Sequence, residues 1–172
     1  MFDLPLHPVV VHFPIVFGII LPFAAFVLWW GIRKGTFAQN VWVFVPDLAL
    51  VYGLSAAAAV YLGGEDEEKV EKIVEKKVVE AHEEAGEVIP WLAGGLLLVS
   101  IAGLVRKDSH RLRLAFAVLS LAAIIPLANT GHTGGQLVYK YGAAKAHLPA
   151  NLQATVPSAV VPGGEGHDKD HD

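Results

Sequence analysis

Apolar residues gather in four long runs, and most polar residues fall between them. The first, 8–31, is apolar except for His12 and closes on Trp29-Trp30, an aromatic pair suited to a membrane–water boundary. The second covers 41–62, with Trp42 and Tyr61 near its ends and a lone acid, Asp47, near its entry. The third covers 88–105, with Pro90 early in it, and the fourth covers 112–128. Each offers about 17–24 residues, and at about 1.5 Å per residue that suffices to cross ~30 Å of hydrocarbon. The pattern predicts an all-α, integral-membrane four-helix bundle.

Two stretches outside the runs are periodic as well. In 65–87, Val70, Ile73, Val74, Lys77, Val78, Ala81 and Ala85 recur at three- and four-residue steps, predicting a charged, solvated helix that carries span three outward. Glu65–Lys69, Glu68–Lys72 and Lys76–Glu80 are spaced to pair one turn apart. A calcium site there lacks the ligand spacing of a known loop. Past span four, Leu137, Tyr141, Ala144 and Leu148 share one face of 134–147, predicting an amphipathic helix across the mouth of the bundle. The bundle is therefore expected over 1–148. The Pro-, Gly- and Ala-rich remainder, 149–172, reads as a flexible tail whose His167 and His171 bind metal weakly at most.

Composition agrees with a lipid environment: 53% of residues are hydrophobic and 17% charged, against roughly 25% charged in soluble domains. The absence of cysteine excludes disulfides, iron–sulfur clusters, zinc–thiolate sites and covalent CxxCH haem attachment. A formal charge of −4 with no basic patch gives no footprint for nucleic acid. Arg33-Lys34, Arg106-Lys107, Arg111 and Arg113 place six of the 13 Lys and Arg in two short turns. By the positive-inside rule those turns are cytoplasmic and both termini are outside, in a multi-pass protein of the inner (cytoplasmic) membrane. The Met1-Phe2-Asp3-Leu4 start has neither a basic region nor a small-residue cleavage site, so no removable signal is expected.

This topology gathers His7, His12, His82 and His132 at the outer ends of the spans. His7 precedes Pro8 at the entry to span one, and His12 lies five residues on, about 140° around an ideal helix. Such divergence disfavours one shared ion and points to two sites or two roles. His132 sits in Asn129-Thr130-Gly131-His132-Thr133-Gly134-Gly135, where glycines let a flat ligand approach the backbone. Each histidine alone is explained as an interfacial hydrogen-bonding residue. Together, with no cysteine, they offer a nitrogen-only ligand set suited to non-covalent haem held by two imidazoles, or to zinc or copper.

The string HPxxVHFP at 7–14 resembles the opening signature of a bacterial four-helix membrane family, catalogued as a domain of unknown function, number twenty-two thirty-one. GHxGGxLVY at 131–139 is similar to its other hallmark, and Ala81-His82 matches its middle histidine. The likeness covers roughly residues 5 to 142, and the charged insert at 65–80 is longer than the connection expected there. The resemblance implies b-type haem proteins that occur beside or fused to redox domains.

The resulting expectation is an electron-transfer subunit rather than a stand-alone enzyme: a b-type cytochrome with two haems near the outer face. Its metal ligands are His12 and His132 first, then His7 and His82, in undetermined pairing. Asn129, Thr130 and Thr133 orient ligand N–H groups, Gly131 and Gly134 admit the macrocycle, and Lys140 and Lys145 neutralise propionates or are simply solvated. The electron partner is a periplasmic redox protein, a larger redox complex or the quinone pool, with Glu83, Glu84 and Glu87 as proton acceptors or plain surface residues. The competing class is a non-redox transport or assembly subunit whose histidines bind zinc or copper or sense pH. Against transport, there is no inverted repeat and no buried charge other than Asp47, while Gly94, Gly95 and Gly103 serve helix packing.

Overall fold

A computed structural model describes residues 5–106, 109–153 and 155, and among these the chain is helical with no strand. The start at Met1–Leu4 and most of the predicted tail, including His167 and His171, lie outside the described residues. Among the described residues, four helices are long and apolar enough to cross a membrane: α1 (His7–Arg33), α2 (Gln39–Val70), α3 (Lys76–Val105) and α4 (His110–Tyr139). Short connections force sequence neighbours to run antiparallel. α1 packs on α2, α2 on α3, α3 on α4, and α4 closes the ring against α1. One end of the bundle therefore carries the histidines, and the other the arginine-rich turns.

The faces are inverted relative to a soluble bundle. Only 28–33% of each apolar window is buried inside the protein, and Phe23, Leu54, Leu98, Val118 and Ile125 project outward. Such a contiguous apolar exterior needs a lipid neighbour. The interior is built from Leu21, Ala25, Ala49, Tyr52, Ala56, Ile89, Ala93, Phe116 and Leu127. Small residues bring the backbones close: a Cβ on Gly18 would stand 3.1 Å from the Tyr52 ring, and one on Gly103 would stand 3.1 Å from Trp42 Nε1. Gly94 and Gly95 do not share this role. Both are exposed, with open space where a Cβ would stand.

The arginine end is pinned by tryptophans. Trp29 Nε1 donates to the His110 carbonyl at 2.9 Å, tying α1 to α4, and Trp42 Nε1 donates to the Ser100 carbonyl at 3.1 Å, tying α2 to α3. The expected balance of buried charge is reversed here. Asp47 is exposed in the first α-helical turn of α2, which follows the 3-10 stretch Gln39–Val43 and where a negative charge suits the helix dipole, whereas Arg113 is buried at 1% exposure. Its Nε donates to the Gly103 carbonyl at 3.0 Å and its guanidinium lies 5.2 Å from the Trp42 ring centroid, so cation–π attraction and a backbone acceptor replace hydration.

The charged segment is divided between two helices. α2 runs on to Val70 and α3 begins at Lys76, making a helical hairpin beyond the apolar stretches. Lys76 reaches Glu71 at 3.4 Å and Glu80 at 3.7 Å, and Lys69 reaches Asp66 at 3.7 Å. Past the fourth apolar run, helix continues through the glycine-rich stretch to Tyr139. The chain then turns at Gly142, whose φ of 71° is the left-handed conformation glycine adopts without strain, into a short 3-10 turn, Ala143–His147. Buried Val74, Val79, Leu137 and Ala143 join this turn to the hairpin in a second small core.

Candidate metal centre

The helix ends do not treat the four histidines alike. His7 and His82 turn into the bundle, with ring centroids 6.3 Å apart and planes at 83°. His7 Nδ1 donates to the Ala59 carbonyl of α2 at 2.8 Å. A carbonyl can only accept, so His7 Nδ1 carries a proton, and in the neutral tautomer with this bond Nε2 holds the lone pair.

The same tautomer follows at His82 through two threonines. Thr130 Oγ1 donates to the Ala85 carbonyl at 2.8 Å, joining α4 to α3. Thr133 Oγ1 donates to the Thr130 carbonyl at 3.0 Å and accepts from His82 Nδ1 at 2.9 Å. His82 Nε2 is thereby left as a lone-pair donor. His82 precedes the charge-free stretch of α3 that begins at Val88, so it belongs to the part of the helix beyond the membrane. Burial first, and the nearby His7 second, push its pKa down, against an opposing pull from the Thr130 backbone. The neutral imidazole, the metal-binding form, is favoured.

Two glycines make room for these rings. A Cβ on Gly63 would stand 3.2 Å from His7 Cε1 and Nδ1, and one on Gly134 would stand 2.9 Å from His82 Cε1. Gly63 and the Ala59 carbonyl were not singled out from sequence; only the four-residue step between them hints that they share a face.

The remaining site candidates lie elsewhere. His12 is exposed and bonds only locally, Nδ1 to the Val9 carbonyl at 3.3 Å. His132 is exposed on α4, and its Nε2 accepts from the Gln136 amide at 2.9 Å. Asn129 and Gly131 are exposed too. Lys140 lies over the Tyr141 ring at 5.0 Å, and Lys145 is half-buried on the 3-10 turn. Glu84 and Glu87 are exposed, while Glu83 is half-buried and its pKa is raised, by burial first and then by Glu67 and Glu87.

Among the described residues, no three or more His, Asp or Glu side chains converge as a metal-binding group. A protein-only zinc site wants three or four ligands, whereas haem iron takes its equatorial nitrogens from the macrocycle and needs one or two from the protein. Two imidazoles on opposite sides of one metal, at bonds of about 2 Å, have ring centroids about 6 Å apart. The 6.3 Å separation at 83° is that of an edge-to-face ring contact and is also compatible with that role; the Nδ1 bonds of both rings leave their Nε2 atoms as the nitrogens available to a metal.

The family described as "Predicted membrane protein (DUF2231)" matches residues 3–147. No curated protein and no solved structure matches the chain.

Proposed function

The chain belongs to the DUF2231 family of predicted membrane proteins, and from the geometry of its histidines we propose that it is a membrane b-type cytochrome subunit whose haem iron would be held by His7 and His82. The observation that carries this reading is the pair of imidazoles with both Nδ1 protons committed to oxygen acceptors. Such bonds to the non-ligating nitrogen orient a metal-bound histidine and raise its basicity. Bound haem supplies one-electron exchange between ferrous and ferric iron.

The chain's own contribution is to fix both rings through their Nδ1 bonds and to favour the neutral form of His82 by burial. The Ala59 carbonyl and the Thr130–Thr133 relay set the ligand geometry, and the small core of Val74, Val79, Leu137 and Ala143 packs the hairpin around this end of the bundle. One centre, rather than the two expected from sequence, is the form this reading takes, since among the described residues the bonds of His12 and His132 lie within their own helices. The histidine end faces the periplasm in this reading, and electrons pass to a periplasmic redox protein, a larger redox complex or the quinone pool. A zinc or copper centre at the same pair is the competing reading and must recruit further ligands. The test is haem content of the full chain purified from haem-replete cells. A b-type pyridine haemochrome near one per chain is expected, and colourless protein with stoichiometric zinc or copper overturns it.

A further inference from the structure

One helical turn of α4 presents two opposite faces. Thr133 and Gly134 face His82, while Gly131, His132, Gly135, Gln136, Tyr139 and Lys140 line an open groove of about 730 Å³ on the outer side. At 100° per residue the two sets point roughly oppositely, so only the thickness of one helix separates groove and histidine pair. Its floor is backbone: among the described residues, nothing lies within 4 Å of where a Cβ on Gly131 or Gly135 would stand. Flat rings can lie on such a floor.

The rim of this groove is made of donors. Because His132 Nε2 accepts from Gln136, its Nδ1 carries the proton and is a donor. Tyr139, 89% exposed, adds a hydroxyl and Lys140 an ammonium, and no carboxylate among the described residues lines the groove. A ligand matched to this rim is flat and offers acceptors. From the groove, Ala128 and Ile125 continue the row of His132 and Gly135 at helical spacing, both exposed and apolar, down into the lipid-facing surface. That track suits a hydrocarbon tail lying along the helix.

We propose that the Gly131–Gly135 groove binds the headgroup of a lipid-borne quinone, with His132 Nδ1–H donating to one ring carbonyl. The inference deepens the cytochrome reading by naming its electron partner, although binding itself needs no metal at His7 and His82. The test is equilibrium binding of decylubiquinone to the full chain in detergent micelles, with haem absorbance recorded on the same samples. Wild type is expected to bind saturably, one per chain. Gly135→Leu, which fills open space, and His132→Phe, which removes the donor, are each expected to weaken binding about tenfold or more, the equivalent of one lost hydrogen bond. Helical circular dichroism and haem absorbance are expected to stay unchanged in both variants.

His82→Ala separates the two readings: it is expected to lose haem and retain quinone. Absent or non-saturable binding, or equal affinity in wild type, Gly135→Leu and His132→Phe, overturns the groove even where haem is present. Quinone binding by a colourless wild type overturns the cytochrome alone. Efficient disulfide cross-linking of His132→Cys between two chains in native membranes, with quinone failing to compete, assigns the groove to a second copy and overturns the proposal.

Discussion

At the scale of single residues, the difference between His82 and His132 is a difference in what holds the ring. His82 is fixed by Thr133 and seated against Gly134, which leaves it room, while His132 is exposed and held by Gln136 of its own helix. Thr133→Val keeps the shape and removes the acceptor, so the Nδ1 proton of His82 loses its partner. It is expected to weaken haem retention, with a loss of the order of 10–100-fold typical of partners behind a metal ligand, and Thr133→Ser is expected to restore it. Dialysis of purified variants against apomyoglobin checks this.

The lowered pKa of His82 has a signed consequence for the apoprotein. Folding favours the neutral ring, so its contribution is fully present above the unfolded value near 6.5 and is lost as pH falls through the lower folded value. Thermal unfolding of metal-free protein from pH 7.5 to 5 is expected to show falling stability, with a shallower fall in His82→Gln. The candidate histidines were legible in the sequence, as was the 140° divergence of His7 and His12. Their pairing was not, because which ring faces inward depends on which side of each helix its neighbours cover. The opening and closing motifs drew attention to His12 and His132, yet the rings that meet are His7 and His82.

At the scale of elements, the glycines of α4 divide by face. A Cβ at Gly134 meets His82 Cε1 at 2.9 Å against the rigid end of a fixed ring, whereas Gly135 faces open space. Gly134→Val is therefore expected to destabilise the protein by about 1–3 kcal/mol, as overpacking does, and to displace His82. Gly135→Ala is expected to stay within about 0.5 kcal/mol of wild type or to gain slightly from helix propensity. Thermal denaturation in one detergent compares the two. The periodicity of 65–87 marked it as helical, but not that the chain reverses between Val70 and Lys76. Nothing local announces that turn: Ile73 and Val74 continue the apolar pattern, and Val74 is instead buried against Val79, Leu137 and Ala143. Arg113 was hidden in the same way. Beside Arg111 it reads as a solvated turn, and only the position of Trp42 across the bundle gives its charge a buried site.

At the scale of the whole molecule, four apolar runs and two short basic turns made the number and alternation of helices legible. The closed ring of packing was not, since periodicity says that a face is covered without saying by which helix. Orientation is open to a direct check. With the histidine end outside, Glu75→Cys is expected to react with a membrane-impermeant maleimide in intact spheroplasts, and Lys34→Cys only after lysis. The opposite pattern inverts the topology.

The most direct measurement of the central claim is the reduced-minus-oxidised absorbance spectrum of the full chain from haem-replete cells, alongside His7→Ala, His82→Ala, His12→Ala and His132→Ala. Wild type is expected to show a b-type α-band that His7→Ala and His82→Ala abolish or shift and that His12→Ala and His132→Ala preserve. A colourless wild type, or an α-band that survives loss of both His7 and His82 and vanishes with His12 or His132, would contradict the assignment of the centre to the inward-facing pair.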